Sequence, residues 1–148
     1  MRCPRCSNGE LAVVDTRVDG ESIRRRRECQ QCRHRFNTFE RVEVSLLVIK
    51  KDGRRESFLR AKLKDGIERA FIKRPISAAE IEGIIESVEK RLYELGRREV
   101  PSQEIGTLVL QEVRKVDPIA YVRFASVYRE FTSVADFLSE LNEISKDE

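Results

Sequence analysis

The chain has no apolar run approaching the roughly 20 residues needed to span a bilayer. Its start, Met1-Arg2-Cys3-Pro4, lacks the apolar stretch of a secretory signal. Both absences lead to the expectation of a cytoplasmic protein with no membrane partner. Histidine is nearly missing, with His34 the single one. No Cys/His nucleophilic pair therefore fits outside the cysteine cluster around it. No glycine is followed by Lys-Ser or Lys-Thr at the spacing of a Walker phosphate loop. Acids are plentiful but scattered along helix faces, where solvation accounts for them, and no general acid–base constellation emerges. Taken together, these absences argue against an enzyme.

Lysine is absent from residues 1–45, which hold ten arginines and seven acids, a net of +3. Residues 46–148 hold nineteen basic and nineteen acidic residues, a net of zero. The whole formal charge of +3 thus sits at the N-terminal end and is carried by arginine. Guanidinium forks onto phosphate and onto guanine edges in a way that ammonium cannot.

Composition and pattern both change near residue 45. All four cysteines, the histidine and most arginine clusters precede it, and long helical apolar patterns follow. The boundary is placed at Glu43 to Leu46. This gives a first domain over 1–45, a second over 46–136, and a C-terminal helix or tail over 137–148. A segment of fewer than 50 residues usually needs a metal, disulfides or a partner to fold. Leu11–Arg17, Ser22–Glu28 and Arg35–Glu43 read as short strands. Val18-Asp19-Gly20-Glu21 carries a turn signal between the first two.

Cys3-x-x-Cys6 and Cys29-x-x-Cys32 are separated by 22 residues. Each CxxC holds two thiolates in a tight turn, and four thiolates complete a tetrahedral zinc shell. A cytoplasmic compartment argues against stable disulfides, and a redox dithiol would need one CxxC beside a βαβ pattern that is lacking. The expectation is one structural Zn2+ per chain, because four cysteines leave no open position for catalysis. His34 is spare.

Arg24-Arg25-Arg26-Arg27 leads into the second knuckle, and Arg33, His34, Arg35, Phe36 and Phe39 follow it. On a strand, Arg24 and Arg26 face one side and Arg25 and Arg27 the other. Arg17 lies on the strand that would pair with this run. Arg17, Arg24, Arg25, Arg26, Arg27 and Arg35 are therefore the candidate DNA-binding residues. The alternative is an edge strand kept soluble by charge. Phe36 and Phe39 either stack on bases or form the small core.

The second part opens on a hairpin signal: Leu46–Lys51, then Asp52-Gly53 as a type I′ turn pair, then Arg54–Phe58. Helices follow, with Leu63, Ile67, Ala70 and Phe71 on one face. Ser77-Ala78-Ala79-Glu80 is a capping box before the stripe Ile81, Ile84, Ile85, Val88, Leu92, Leu95, which Gly96 ends. Ser102 is read as the cap of a helix with Ile105, Leu108, Val109, Val113 and Val116 inside. Asp117 and Pro118 open another that runs to about Phe131. Ser133 caps a last helix whose apolar residues are Val134, Phe137, Leu138 and Leu141. The fold class is α+β, a small β zinc ribbon followed by a mainly helical domain with an N-terminal β-hairpin.

At these residues the chain resembles a known family. The runs Cys3-Pro4-Arg5-Cys6, Asp15-Thr16-Arg17, Ile23 to Cys29 and Cys32 to Arg41 look like the zinc ribbon of the NrdR repressors of bacterial ribonucleotide reductase genes. Val48 to Phe58, with Lys62-Leu63, looks like the start of an ATP-cone, the module that serves reductases as an allosteric domain. Tyr121, Arg123, Phe124 and Tyr128 match the cone's last helix. The resemblance implies that Val48 lines the adenine and that Lys50, Lys51 and Lys62 reach the phosphates. It further implies that Glu56 accepts a hydrogen bond from the adenine amino group and that Ser102 adds a polar contact. Tyr128 either borders the nucleotide or belongs to the core. The family commonly carries Lys-Arg where this chain has Lys50-Lys51, and Asp-Ser-Arg where it has Asp15-Thr16-Arg17.

The resemblance thus implies a nucleotide-responsive repressor of double-stranded operator DNA upstream of reductase genes. Its allosteric ligands would be ATP and dATP, with Mg2+ as an optional companion. It would work as a homo-oligomer whose packing responds to the nucleotide. Two rivals stand beside this reading: a zinc-ribbon RNA-binding or generic transcription factor whose helical part only oligomerises, and a detached reductase regulatory domain.

Overall fold

A computed structural model describes residues 1–20, 22–43 and 45–145. Glu21, at the end of the first turn signal, lies outside the described residues. So do Val44, within the expected boundary, and the end of the C-terminal tail at 146–148. The chain divides into two compact units, Met1–Glu43 and Val44–Glu148. No helix among the described residues is long and apolar enough to cross a membrane.

The first unit is an antiparallel sheet of β1 (Leu11–Asp19), β2 (Ser22–Cys29) and β3 (Arg35–Glu40), in that order. Pairing starts at Asp19↔Ser22, so β1 runs two residues past its expected end. The same end of β2 sets the length of β3. Ile23 pairs with Glu40, and beyond Ser22 no strand remains for Arg41 to Glu43. The register of β1 shifts between Val13 and Asp15, a bulge that bends this edge strand.

The second unit begins with β4 (Leu47–Ile49) and β5 (Arg55–Ser57). Asp52-Gly53 makes the hairpin, but not as a type I′ turn, which needs positive φ at both central residues. Gly53 N–H donates to Lys50 O at 2.9 Å and Lys50 N–H to Arg54 O at 2.8 Å. Gly53 has φ 83°, whereas Asp52 is not among the positive-φ residues. The loop is therefore three residues, a β-turn closed by a left-handed glycine bulge. Asp52 stabilises it by accepting from Arg54 N–H at 3.0 Å.

A third strand, β6 (Glu99–Pro101), pairs parallel with β4 and gives the order β5-β4-β6. It was not expected: it is three residues long with one core side chain, Val100. The described residues of this unit also form five helices: α1 (Arg60–Ala70), α2 (Ala78–Glu94), α3 (Ser102–Val116), α4 (Pro118–Tyr128) and α5 (Val134–Ser145). Ser77 and Glu80 form the reciprocal capping box of α2. Gly96, at φ 61°, follows its end. Asp117 caps α4 by accepting from the N–H groups of Ile119 and Ala120 at 2.8 and 3.0 Å.

Three expectations change. Ser102 is the first residue of α3 and makes no capping bond; Pro101 holds the cap position because β6 runs directly into the helix. Helix α4 stops at Tyr128 rather than Phe131, where the chain turns through a left-handed Glu130, φ 54°. Val116, expected inside, is exposed at the end of α3. The core joins α1 through α4 around the sheet, with Ile67, Ile85, Val88, Leu92, Val100, Val109 and Val113 essentially inaccessible.

Helix α5 docks mainly through a polar residue. Glu140 is buried, accepts from Tyr121 Oη on α4, and pairs with Arg129. Phe137 adds an edge-on contact to Phe131. Burial, and then the Glu140 carboxylate, push the Tyr121 phenol up to about 12. A free phenol titrates near 10. The unfolded chain therefore ionises first, and the stability this phenol contributes is complete below pH 10 and lost between about 10 and 12. Tyr121→Phe should be less stable at pH 7 by about 1.5–3 kcal/mol, the usual size of a hydrogen bond to a charged group. That gap should shrink in urea unfolding as pH rises past 10. A pH-independent gap would mean that the phenol does not titrate differently in the folded state.

Candidate nucleotide cleft and zinc-ribbon surface

The two CxxC segments fold alike. Ser7 N–H donates to Cys3 O at 2.9 Å and Arg33 N–H to Cys29 O at 3.0 Å. Each donor, one residue past the second cysteine, is left-handed, with φ 60° and 59°. This repeated turn aims four thiols at one point. Cys3 Sγ lies 3.6 Å from Cys32 Sγ, and Cys6 Sγ lies 3.5 Å from Cys29 Sγ. All four sulfurs lie within 4.8 Å of one another, and none is in a disulfide.

Tetrahedral zinc with Zn–S of about 2.3 Å needs sulfurs about 3.8 Å apart, so this donor set fits the ion. The thiols cannot all ionise unaided. Burial raises Cys3, but the N–H groups of Cys6 and Arg5 and the thiols of Cys32 and Cys6 bring it down to about 7. At Cys6 the Asn8 backbone lowers the pKa, but loss of water and the other three sulfurs push it up to about 12. A divalent cation would remove that conflict. His34 stands apart, stacked on Phe36.

On the ribbon sheet the arginines are dispersed over both faces. Arg25 pairs with Glu40, and Arg27 Nε donates to Thr38 Oγ1 at 2.9 Å. Arg17 pairs with Asp15 at 2.8 Å and Arg35 with Glu28 at 2.6 Å. Arg33 joins Glu28 as well, and the two arginines hold that carboxyl below its usual range. Phe36 is half-buried and Phe39 half-exposed beneath Arg41.

In the second unit, a cleft of about 260 Å³ lies between the hairpin, α1, α3 and α4. Val48, Lys50, Glu56, Lys62, Ser102 and Tyr128 all line it. Lys51 does not; it points to Glu130, with Nζ 2.7 Å from the carboxylate. At the mouth, Glu56 Oε2 lies 3.1 Å from Lys62 Nζ and 3.7 Å from Lys50 Nζ. The hydrogen bond from Lys62, then the charges of Lys62 and Lys50, hold the Glu56 carboxyl below the ordinary range. The inner wall is apolar, formed by Phe58, Leu63, Ile105, Val109 and Phe124. An apolar slot with cations at its rim suits a flat ring carrying a polyanion.

Glycine shapes this slot, a feature that sequence reading missed. The Tyr128 ring lies directly against Gly106 in α3, so close that a Cβ there would overlap it. Tyr128 Oη donates to Gln103 O on the same helix, and its ring stacks with Phe124, whose own ring approaches Gly66. The one sequence signal was a glycine inside a helix, which costs about 1 kcal/mol relative to alanine.

The two units match two families. Residues 1–40 match the family described as Transcriptional repressor NrdR-like, N-terminal domain, and residues 46–134 match the ATP cone domain. The chain is 51% identical over 151 residues to a Transcriptional repressor NrdR of Gloeothece citriformis, covering 100% of this chain and 84% of that protein. A protein of the same description from Exiguobacterium sp. is 48% identical, with 100% and 97% covered. One from Geotalea daltonii is 51% identical, with 99% of each covered. A zinc ribbon with a four-thiol cluster followed by an ATP cone, matched over the whole of this chain by these relatives, places the chain in the NrdR family of transcriptional repressors, which are regulators and not enzymes.

Proposed function

We propose that this chain represses ribonucleotide reductase genes in response to adenine nucleotides. The ribbon binds operator DNA upstream of those genes, and ATP or dATP, with or without Mg2+, occupies the cleft in the cone. The observation that carries this reading is the cleft itself, an apolar slot whose rim holds Lys50 and Lys62. Lys50 and Lys62 would neutralise the phosphates. Glu56 engages both lysines through Oε2, which leaves Oε1 to accept from an adenine amino group. Val48 and the rings of α4 would cover the base. Lys51 would have to leave Glu130 to reach a phosphate.

The nucleotide acts as a ligand with no turnover. It biases a homo-oligomer in the cytoplasm between packings that match or miss operator spacing, and it can do so only to the extent that it binds one packing more tightly. The test is a DNA shift assay on a reductase promoter fragment with ATP and dATP varied, with oligomer size followed in parallel. A retarded complex whose affinity and stoichiometry change with nucleotide is expected. Promoter binding indifferent to both nucleotides would remove the sensing role.

A further inference from the structure

The arginine run Arg24–Arg27 falls on two chemically different faces of the ribbon. On one, Arg25 and Arg27 are engaged by Glu40 and Thr38 of the neighbouring strand. On the other, Arg24 and Arg26 have no hydrogen bond or ion pair among the described residues. The pairing rows of this second face are Arg17–Arg24–Phe39 and Asp15–Arg26–Asn37, with Glu28 and Arg35 adjoining. Asp15, Arg17, Arg24, Arg26, Arg35 and Asn37 line one concave surface of about 380 Å³. Four guanidinium groups around one hollow repel each other, and the two acids there are already held by Arg17 and by Arg33 and Arg35. The hollow therefore attracts a polyanion.

Its parts differ in freedom. Arg17 and Arg35 are fixed through Nε by Asp15 and Glu28, while their terminal nitrogens have no partner among the described residues. An anchored, outward guanidinium is a phosphate clamp. Arg26 is exposed in the middle of the middle strand, directly beside Asn37. Three strands about 4.8 Å apart give a surface about 10 Å across, which fits the roughly 12 Å major groove of B-DNA. The deep, narrow major groove of duplex RNA would not admit it.

We propose that this face enters the DNA major groove, with Arg26 reading guanine and Asn37 reading adenine, Arg17 and Arg35 gripping phosphates, and the Arg25/Arg27 face turned away. Arginine forks onto guanine O6 and N7, and asparagine onto adenine N6 and N7. The assignment rests on the operator-binding reading above. The experiment selects bound sequences from a randomised DNA duplex library with full-length zinc-loaded protein, measures affinity for the selected duplex across a salt series, and compares wild type, Arg17→Ala, Arg26→Ala, Asn37→Ala and an Arg25→Ala/Arg27→Ala double variant. Zinc content checks each fold.

Arg26→Ala should lose about 5- to 150-fold preference for guanine at one position, and Asn37→Ala the same for adenine at a neighbouring one. Arg17→Ala should leave base preference intact and lower the salt slope by about 0.9. Arg25 and Arg27, which the sequence alone offers as DNA contacts, are turned away in this assignment, held by Glu40 and Thr38, so their double variant should keep the wild-type preference. The face assignment is overturned if that variant loses base preference while Arg26→Ala and Asn37→Ala keep it, or if duplex RNA of the selected sequence binds as well as DNA. A wild-type protein that enriches no sequence would remove the operator-binding reading itself, and the assignment with it.

Discussion

Cys29→Ser should yield a protein without zinc, without a folded ribbon and without DNA binding, while the helical unit keeps its structure. The reason lies in what the ribbon buries. Among the described residues of Met1–Glu43, only Cys3, Ser22 and Cys29 are fully buried, and two of these are ligands. Phe36 contributes partial cover, and the valines of β1 are exposed. A sheet this thin cannot offset the roughly 1–2 kcal/mol of backbone entropy per ordered residue. Zinc supplies the shortfall left after the sheet's own hydrogen bonds and partial burial, since four-ligand sites in small domains bind with about 10–16 kcal/mol at neutral pH, and that binding is folding free energy. With three thiolates, most of it is lost. The second unit has its own core of Ile67, Ile85, Val100 and Val113 and shares none of this dependence. Zinc assay, far-UV circular dichroism and amide dispersion in NMR would measure the two units separately. A metal-free variant with a dispersed ribbon spectrum and undiminished DNA affinity would refute the idea that the ion is the ribbon's core.

In the cone, Lys62→Ala should weaken ATP and dATP binding by about 10- to 150-fold, the equivalent of one charge-assisted hydrogen bond of about 1.5–3 kcal/mol. Lys62 is largely solvent-facing, and its partner Glu56 would keep Lys50 nearby, so stability should change little. Gly106→Ala should weaken binding at least as much by a different route. The methyl group would overlap the Tyr128 ring, which must swing away from α3 and break its bond to Gln103 O. Overpacking of this kind costs about 1–3 kcal/mol, while alanine returns about 1 kcal/mol of helix propensity, so the fold should survive. Calorimetry with both nucleotides separates the cases: Lys62→Ala should lose affinity for triphosphate more than for adenosine, and Gly106→Ala for both. Wild-type affinity in both variants would mean that the nucleotide binds elsewhere on the chain.

Much of the architecture follows from local rules that need no partner. Ser77 and Glu80 close a capping box, and Asp117 with Pro118 opens α4, because both devices act within one turn of helix. The double CxxC announces its tetrad because each knuckle is a local turn, and only the meeting of the two knuckles is long-range. What stayed hidden depended on neighbours. Strand β6 exists because β4 offers an open edge, and a single valine between Glu99 and Pro101 shows no periodicity. Ser102 resembles a cap in isolation, yet the strand feeding into α3 puts Pro101 in that role. The Asp52-Gly53 turn differs from expectation because Lys50 bonds both to Gly53 and to Arg54, which lengthens the loop by one residue. In α5 the apolar side chains suggest the buried face, but the residue that is buried is Glu140, because Tyr121 and Arg129 satisfy it.

The sequence by itself determined the chemistry of both units: four thiols at metal spacing, an arginine-rich strand, and a hairpin carrying lysines ahead of a helical domain. Residue type and short-range spacing suffice for that, since turns, caps and metal knuckles are closed within a few residues. Only the tertiary structure decided which of these groups meet. It separated Lys51 from Lys50 and Lys62 by giving it Glu130 as a partner. It also set Tyr128 against Gly106 across 22 residues of chain, and divided four consecutive arginines into a paired face and an unpaired one. Strand alternation names the two faces, but which guanidinium is engaged depends on the side chains that the neighbouring strand sets beside it, and the identity of those neighbours is a property of the register.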